Sequence, residues 1–216
     1  MPTISTVARS APAVTLRLRA GLAHPGSSHY QFCVDSVQRK YLDRYGAVVD
    51  PRPDLFVTAS DDVRRSPTYG ATLGVAGLTC AAGRWLLSEN YLDVPVEHAC
   101  ADLTGGPPAD RRRIAEMGPL VSHYPGTGLF LMRSLPRIAR TLGYDFLLST
   151  LTEELHGLAK VAGWQFRTRT NARSADLTGA HVANWGTYYA AKPRTGILCC
   201  GRAGRHLGRS TTEGDR

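Results

Sequence analysis

The order of three features between residues 113 and 143 limits this chain more than anything else in it. An apolar run, "RIAEMGPLVS", leads into the loop "HYPGTG", which leads into "LFLMRSLPRIARTLG". The run has the length and apolar content of a buried strand, with a Gly-Pro irregularity at Gly118 and Pro119. After the loop, Leu129, Met132, Leu135, Ile138, Ala139 and Leu142 recur at three- and four-residue steps. That spacing predicts a helix over 128–142, ended by Gly143. Pro136 removes an internal hydrogen bond and predicts a kink or a split. A helix start carries unpaired N–H groups and a partial positive charge, both aimed at the loop. Gly126 and Gly128 let that backbone approach an anion with no Cβ in the way. The loop therefore reads as a phosphate site, with a ligand-free tight turn as the other reading. It matches neither GxxxxGK[ST] nor GxGxxG, which disfavours ATP and dinucleotides.

Elsewhere, "AVTLRLR" (13–19) alternates like a half-buried strand. Tyr30, Cys33, Val34, Val37, Tyr41 and Tyr45 mark a helix over 28–45 that Gly46 stops. "DLFVTAS" and "GATLGVAGLTCAAG" read as strands around the polar hairpin loop "DDVRRSPTYG". "WLLSENYLDVPVEHACADL" reads as a short strand, then a helix opening near Pro95. "YDFLLSTL" is a strand. "TEELHGLAKVA" is a helix with Leu155, Leu158, Ala159 and Ala162 inward. "WQFRTRT" is a strand, and a last strand falls near 195–200. A strand meander followed by β-α-β-α-β predicts an α/β single domain over 13–200, with a mixed central sheet and flanking helices. Residues 1–12 read as a flexible N-terminus, and 201–216 as a basic disordered tail.

The 216 residues suffice for one sizeable core. No apolar run approaches the roughly 20 residues of a membrane helix. Arg17 and Arg19 interrupt the one N-terminal stretch that resembles a signal peptide, so a cytoplasmic protein is expected. The net charge is +8. Without the segment from Lys192 onward, 20 basic residues stand against 16 acidic ones, a charge of +4. A basic balance favours anionic partners such as phosphate-bearing carriers, without choosing among them. A nucleic-acid role would rest on the tail alone, so none is expected. The five cysteines are odd in number and lack CxxC spacing, so neither a disulfide framework nor a metal site is expected.

The segment from Arg113 to Phe166 resembles the core of the Gcn5-related N-acetyltransferase superfamily: a strand, a Q/R-x-x-G-x-G/A loop, a helix, a strand, then a helix ending in Gly-aromatic. His123 takes the Gln/Arg position, Gly126 and Gly128 match, and Gly163-Trp164 matches the terminal Gly-Phe. "ENYLDVPVEHA", "IAEMGPLVS", "LSTLTEELHGLAKVAGW" and "NWGTYYAAKPRTGIL" are similar to the thermostable hemolysin family, over about residues 50–200. That family is similar in fold to acetyltransferases and acyl-homoserine-lactone synthases. Its name reports a cell-lysis phenotype of some members; the fold implies acyl transfer.

The resemblance implies an acetyltransferase-like fold and a pantetheine thioester as co-substrate, either acyl-CoA or an acyl-4'-phosphopantetheine carrier protein, with no prosthetic group. The backbone after Met117-Gly118 would pair with the pantetheine arm. His123 and the amides of the loop, including those of Gly126, Thr127, Gly128 and Leu129, would hold the phosphate. Glu116, on the strand that commonly carries the base, would take the proton of a small-molecule amine. A backbone N–H of Leu120 or Val121 would polarise the carbonyl. The tyrosine usual four residues before Gly-Phe is absent, Ala159 standing there; Tyr188 or Tyr189 would replace it, Tyr188 as acid or acceptor contact. Glu89 and Tyr91 would bind the acceptor, with Trp185 and Tyr189 walling the site. The high Arg, Ala and Gly content suggests a bacterial source, and biosynthesis a plausible setting. A lytic protein and a noncatalytic acyl- or CoA-binding module are the rival readings; no long amphipathic helix or barrel pattern supports stable membrane insertion.

Overall fold

The computed structural model describes residues 17–61, 72–178 and 184–200. The first strand, β1 (Leu18–Ala23), lies further along than the expected 13–19, whose first four residues fall outside the described ones. It runs on through Gly21 because Leu18 to Ala23 pair one for one with Asp61 to Phe56. The helix α1 (Ser28–Tyr45) has the predicted bounds. Ser27 Oγ accepts from the Tyr30 amide at 3.1 Å, and left-handed Gly46 ends the helix. Next come β2 (Leu55–Asp61) and β3 (Thr72–Cys80). The loop expected between them lies, beyond Asp61, outside the described residues.

The short strand expected within 85–92 is instead a 3₁₀ turn, Leu87–Tyr91. The cause is side-chain hydrogen bonding. The amides that a strand would offer a neighbour go to carboxylates: Leu86 N to Glu89, Leu87 N and Ser88 N to Glu116. Then follow α2 (Val96–Thr104), β4 (Ile114–Ser122), α3 (Thr127–Thr141), β5 (Phe146–Leu151), α4 (Glu153–Val161), β6 (Arg167–Asn171) and β7 (Arg194–Cys199).

These strands form one sheet in the order β1-β2-β3-β4-β5-β7-β6. Only β4 and β5 are parallel, and β7 inserts antiparallel between β5 and β6. The mixed sheet is as expected; the insertion is not legible in local pattern. One face packs α1 through Val34 and Val37 against Phe56, Val75 and Val121, and α2 through Val96 and Ala99 against Ile114 and Leu148. The other packs α3 and α4, where Leu131, Met132 and Leu135 meet Val57, Ala76, Met117 and Leu147. Each fully buried side chain of this size contributes roughly 1.5–3 kcal/mol.

Strand β4 changes face partway along. Ala115 and Met117 point to α3 and α4, whereas Val121, an even number of residues on, points to α1. Between them Ala76 and Leu78, two apart on β3, oppose Leu120 and Met117, three apart on β4. This bulge at Gly118-Pro119, where the peptide bond is cis, inverts the alternation.

Pro136 does not split α3, which is continuous from Thr127 to Thr141. The carbonyl left without its i+4 donor is that of Met132, and Trp164 Nε1–H donates to it at 2.7 Å. The Gly-aromatic end of the next helix thus repairs the proline's gap. Trp164→Phe is expected to cost about 1–3 kcal/mol by stranding that buried carbonyl. In a Pro136→Ala background the cost should be smaller, because the N–H that the substitution restores then meets the Met132 carbonyl. Urea titration of the four-member mutant cycle measures the difference.

Candidate active site

The site begins where two parallel strands part. β4 and β5 pair only from Ile114–Phe146 to Glu116–Leu148. Beyond that, β4 continues to Ser122 along β3 and β5 continues to Leu151 along β7, leaving a gap between them. The His123 amide donates to Leu73 O of β3 at 2.8 Å. By strand alternation the Val121 amide also faces β3, and those of Leu120 and Ser122 face the gap. Of the two carbonyl-polarising donors expected from sequence, Leu120 has the orientation for it.

At the end of the gap α3 starts. Gly126 caps it in the left-handed region at φ 83°. The Thr127 amide is taken by Tyr124 O at 3.2 Å, whereas those of Gly128 and Leu129 find no acceptor among the described residues. Thr127 contributes no side chain to the gap. It is fully buried, and its methyl group sits where a Cβ at Gly74 would fall. The resulting cleft, about 460 Å³, is walled by Leu120, Val121, His123, Gly126, Gly128 and Leu129 on one side. Lys40, Arg44 and Tyr188 lie on another, and Thr152 and Glu154 close it. A shallower depression of about 610 Å³ lies at Pro25–Ser28 and Arg52–Asp54, remote from these groups.

The loop end of the cleft is basic. His123 Nε2 and Ser36 Oγ of α1 are hydrogen-bonded at 2.5 Å. Partial desolvation, then the charges of Lys40 and Arg39, hold the His123 pKa below its ordinary value, so the ring is neutral near pH 7. Arg44 forms an ion pair with Glu154 that crosses from α1 to α4. Sequence reading missed Lys40 and Arg44. Their spacing with Tyr41 and Tyr45 puts all four on one face of α1, a signal visible in the pattern.

Tyr188 also lines the cleft, buried in a box of rings. Tyr41 stacks on it at 6.1 Å, and Tyr45, Trp185 and Tyr189 lie at 5.3, 5.3 and 5.4 Å. Its hydroxyl makes a long contact, 3.5 Å, with Thr150 O. Burial, then the neighbouring tyrosines, raise its pKa well above the ordinary value, so it keeps its proton. The box depends on "NWGTYY". Thr187 N donates to Tyr45 O at 2.8 Å, and a Cβ on Gly186, at φ 50°, would collide with that same oxygen. Tyr91, Trp185 and Tyr189 make a second layer behind the cleft, with Tyr91 and Tyr189 joined through their hydroxyls at 2.7 Å.

The two acidic candidates have different surroundings. Glu116 is buried and accepts from Leu87 N at 3.1 Å, Ser88 N at 2.9 Å and Ser88 Oγ at 2.5 Å. Burial raises its pKa, and these hydrogen bonds oppose the rise only in part. Glu89 faces Arg111, which grips both oxygens at 2.9 and 2.7 Å while also reaching Glu97 at 3.1 Å. With the Leu86 amide added at 2.9 Å, that carboxylate is committed to holding the 3₁₀ turn, not open to an ammonium. Arg111 sits in the run "RRR", which looks like solvated loop charge in sequence. His156 is buried edge-on to Phe166 at 5.2 Å. The thiols of Cys33, Cys100 and Cys200 are pushed up to about 12 by burial.

A profile of the thermostable hemolysin family matches residues 24–203. The chain belongs to that family. None of the curated proteins matches it. Among solved structures, FeeM, an N-acyl amino acid synthase from uncultured soil microbes, aligns with a TM-score of 0.55 at 12% identity, over 88% of this chain and 94% of its own. BjaI, a CoA-dependent acyl-homoserine lactone synthase solved with SAM and isopentyl-CoA, gives 0.52 at 14%, over 86% and 85%. The acyl-homoserine-lactone synthase LasI gives 0.50 at 9%, over 87% and 92%. These likenesses establish the acetyltransferase-like fold.

The buried clamp has a measurable consequence. Arg111→Met leaves Glu89 and Glu97 without their cation and is expected to cost about 3–5 kcal/mol. Arg111→Met with Glu89→Gln should recover a substantial part, read by chemical denaturation.

Proposed function

We propose that this protein is an N-acyltransferase, moving an acyl group from a pantetheine thioester to the amine of a small molecule in a bacterial, cytoplasmic biosynthetic setting. The donor is acyl-CoA or an acyl carrier protein. The observation that carries this reading is the parting of β4 and β5 into a cleft that ends on the free amides of Gly128 and Leu129. A pantetheine arm has the shape and hydrogen-bonding groups of a strand and fills such a gap. Its phosphate meets the α3 N-terminus, His123 and Lys40.

In this reading the thioester carbonyl lies against the Leu120 amide, which stabilises the oxyanion as the amine attacks. Glu116 is the terminal base, since a raised carboxyl pKa brings proton affinity nearer to that of the attacking amine. Tyr188 keeps its proton and donates a hydrogen bond to the leaving sulfur or the acceptor. Tyr91, Trp185 and Tyr189 support the acceptor side from behind Tyr188. Glu89 acts at one remove, through the turn that presents Ser88. No helix among the described residues is long and apolar enough to cross a membrane.

Donor binding is tested by thermal shift and native mass spectrometry with acyl-CoA and with acyl carrier protein. Asp and Asn both tolerate the left-handed backbone of Gly126, and no atom lies within 4 Å of a Cβ there. Gly126→Asp should therefore fold but repel the phosphate, whereas Gly126→Asn should bind. At a hundredfold excess over Kd the wild type should gain about 2.7 kcal/mol. Absence of any donor-induced shift in the wild type overturns the reading.

The pH dependence has opposite signs for rate and stability. Glu116 must be ionised to act, so kcat/KM should rise with pH through a limb above the ordinary carboxyl value of 4.5. Its folded pKa is raised, so its contribution to stability is full below the unfolded pKa and is lost as pH climbs through the folded one. Glu116→Gln should remove the limb and flatten the fall in stability, measured by rate profiles and denaturation at matched pH.

A further inference from the structure

We infer that Thr150 and Ser88 form a hydroxyl relay that carries the acceptor's proton from the cleft to Glu116. This rests on the acyl-transfer reading above and adds residues that it does not need. The relay is an unbroken chain: Glu116 Oε1 to Ser88 Oγ at 2.5 Å, Ser88 Oγ to Thr150 Oγ1 at 2.8 Å, and Thr150 Oγ1 to Thr195 Oγ1 at 2.6 Å. Ser88, Glu116 and Thr195 are buried, and Thr150 is the partly exposed member. Thr150 lies two residues before Thr152 in the cleft wall, and its own carbonyl is the one that the Tyr188 hydroxyl approaches.

The polarity of this chain follows from counting hydrogens. An ionised Glu116 only accepts, so Ser88 must give it its single hydroxyl hydrogen. Ser88 Oγ must then accept from Thr150, and Thr150 Oγ1 from Thr195. Every hydroxyl therefore points toward the carboxylate, and Thr150 keeps one lone pair for a proton arriving from the cleft. Glu116 itself is closed off by the 3₁₀ turn, so a base in that position needs such an intermediary. The ionisable groups around the carboxylate are Glu89, whose charge Arg111 faces, and the Tyr91 phenol.

The step balances as follows. The amine nitrogen forms the C–N bond to the thioester carbon. Its proton passes to Thr150 Oγ1 as Thr150's passes to Ser88 Oγ and Ser88's to Glu116 Oε1. The C–S bond breaks, and the thiolate leaves with the electron pair and takes a proton from solvent. Glu116 then returns its proton to solvent.

The test uses the full-length chain with acyl-CoA donors of several lengths and a panel of amines. Three readouts are taken: donor-induced thermal shift, kcat and KM, and the pH profile. Thr150→Val keeps the shape and removes the relay. It is expected to lower kcat about 100-fold or more with little change in donor binding, and to erase the Glu116 limb. Thr150→Ser should restore both, which a purely structural role for the threonine methyl would not. Ser88→Ala should match Thr150→Val in its pH profile, even if its stability falls. Wild-type turnover with Thr150→Val and Ser88→Ala both within twofold, and the limb intact, overturns the relay and leaves acyl transfer standing. Donor binding without turnover on any amine overturns the relay together with catalysis, and absence of donor binding overturns the function itself.

Discussion

One extra residue in β4 organises the site. The bulge at Gly118-Pro119 lets the strand stay paired to β3 while its far half points its side chains to the opposite faces. Glu116, before the bulge, lies under the 3₁₀ turn. Leu120, after it, packs toward α3 and turns its amide into the gap beside β5. A regular strand would keep pairing with its parallel neighbour and would leave no room between them. The cleft, the aimed amide and the separation of Glu116 from the loop all descend from that single irregularity.

A second constraint is the burial of polar groups near the bulge. Carboxylates at Glu116 and Glu89 and the carbonyl of Met132 sit where water does not reach, and each has found a donor. Two come from a short turn and an arginine distant in sequence, one from the Trp164 indole. Unpaired, each would be costly. The 3₁₀ turn is the clearest case: it is folded by the carboxylates it serves, and in return it closes Glu116 from direct contact with the cleft. The hydroxyl chain from Ser88 to Thr150 is the remaining connection.

The helices divide the work between them. α3 supplies a helix start with free amides, and α1 supplies cations at Lys40 and Arg44 and rings at Tyr41 and Tyr45. The segment around Gly186 docks on the end of α1 and completes the ring box around Tyr188. Cationic groups, free amides and an aromatic box thus line one cleft.

Local chemistry determined a large part of this. The bounds of α1, the strand–loop–helix from Ile114 to Thr141 and the left-handed cap at Gly126 follow from periodicity, caps and backbone freedom, which act between near neighbours. Glu116 and His123 were singled out as candidates by their place in that motif and its resemblance. Tertiary structure decided the rest. The partner of Glu89 is Arg111, 22 residues away, and no local pattern distinguishes a clamp from a solvated arginine. The insertion of β7 between β5 and β6, the repair of Pro136 by Trp164, and the line of hydroxyls joining residues 88, 116, 150 and 195 depend on hydrogen bonds between segments far apart in the chain. Hydrogen-bonding groups of that kind are present in almost any sequence; only the fold determines which ones meet.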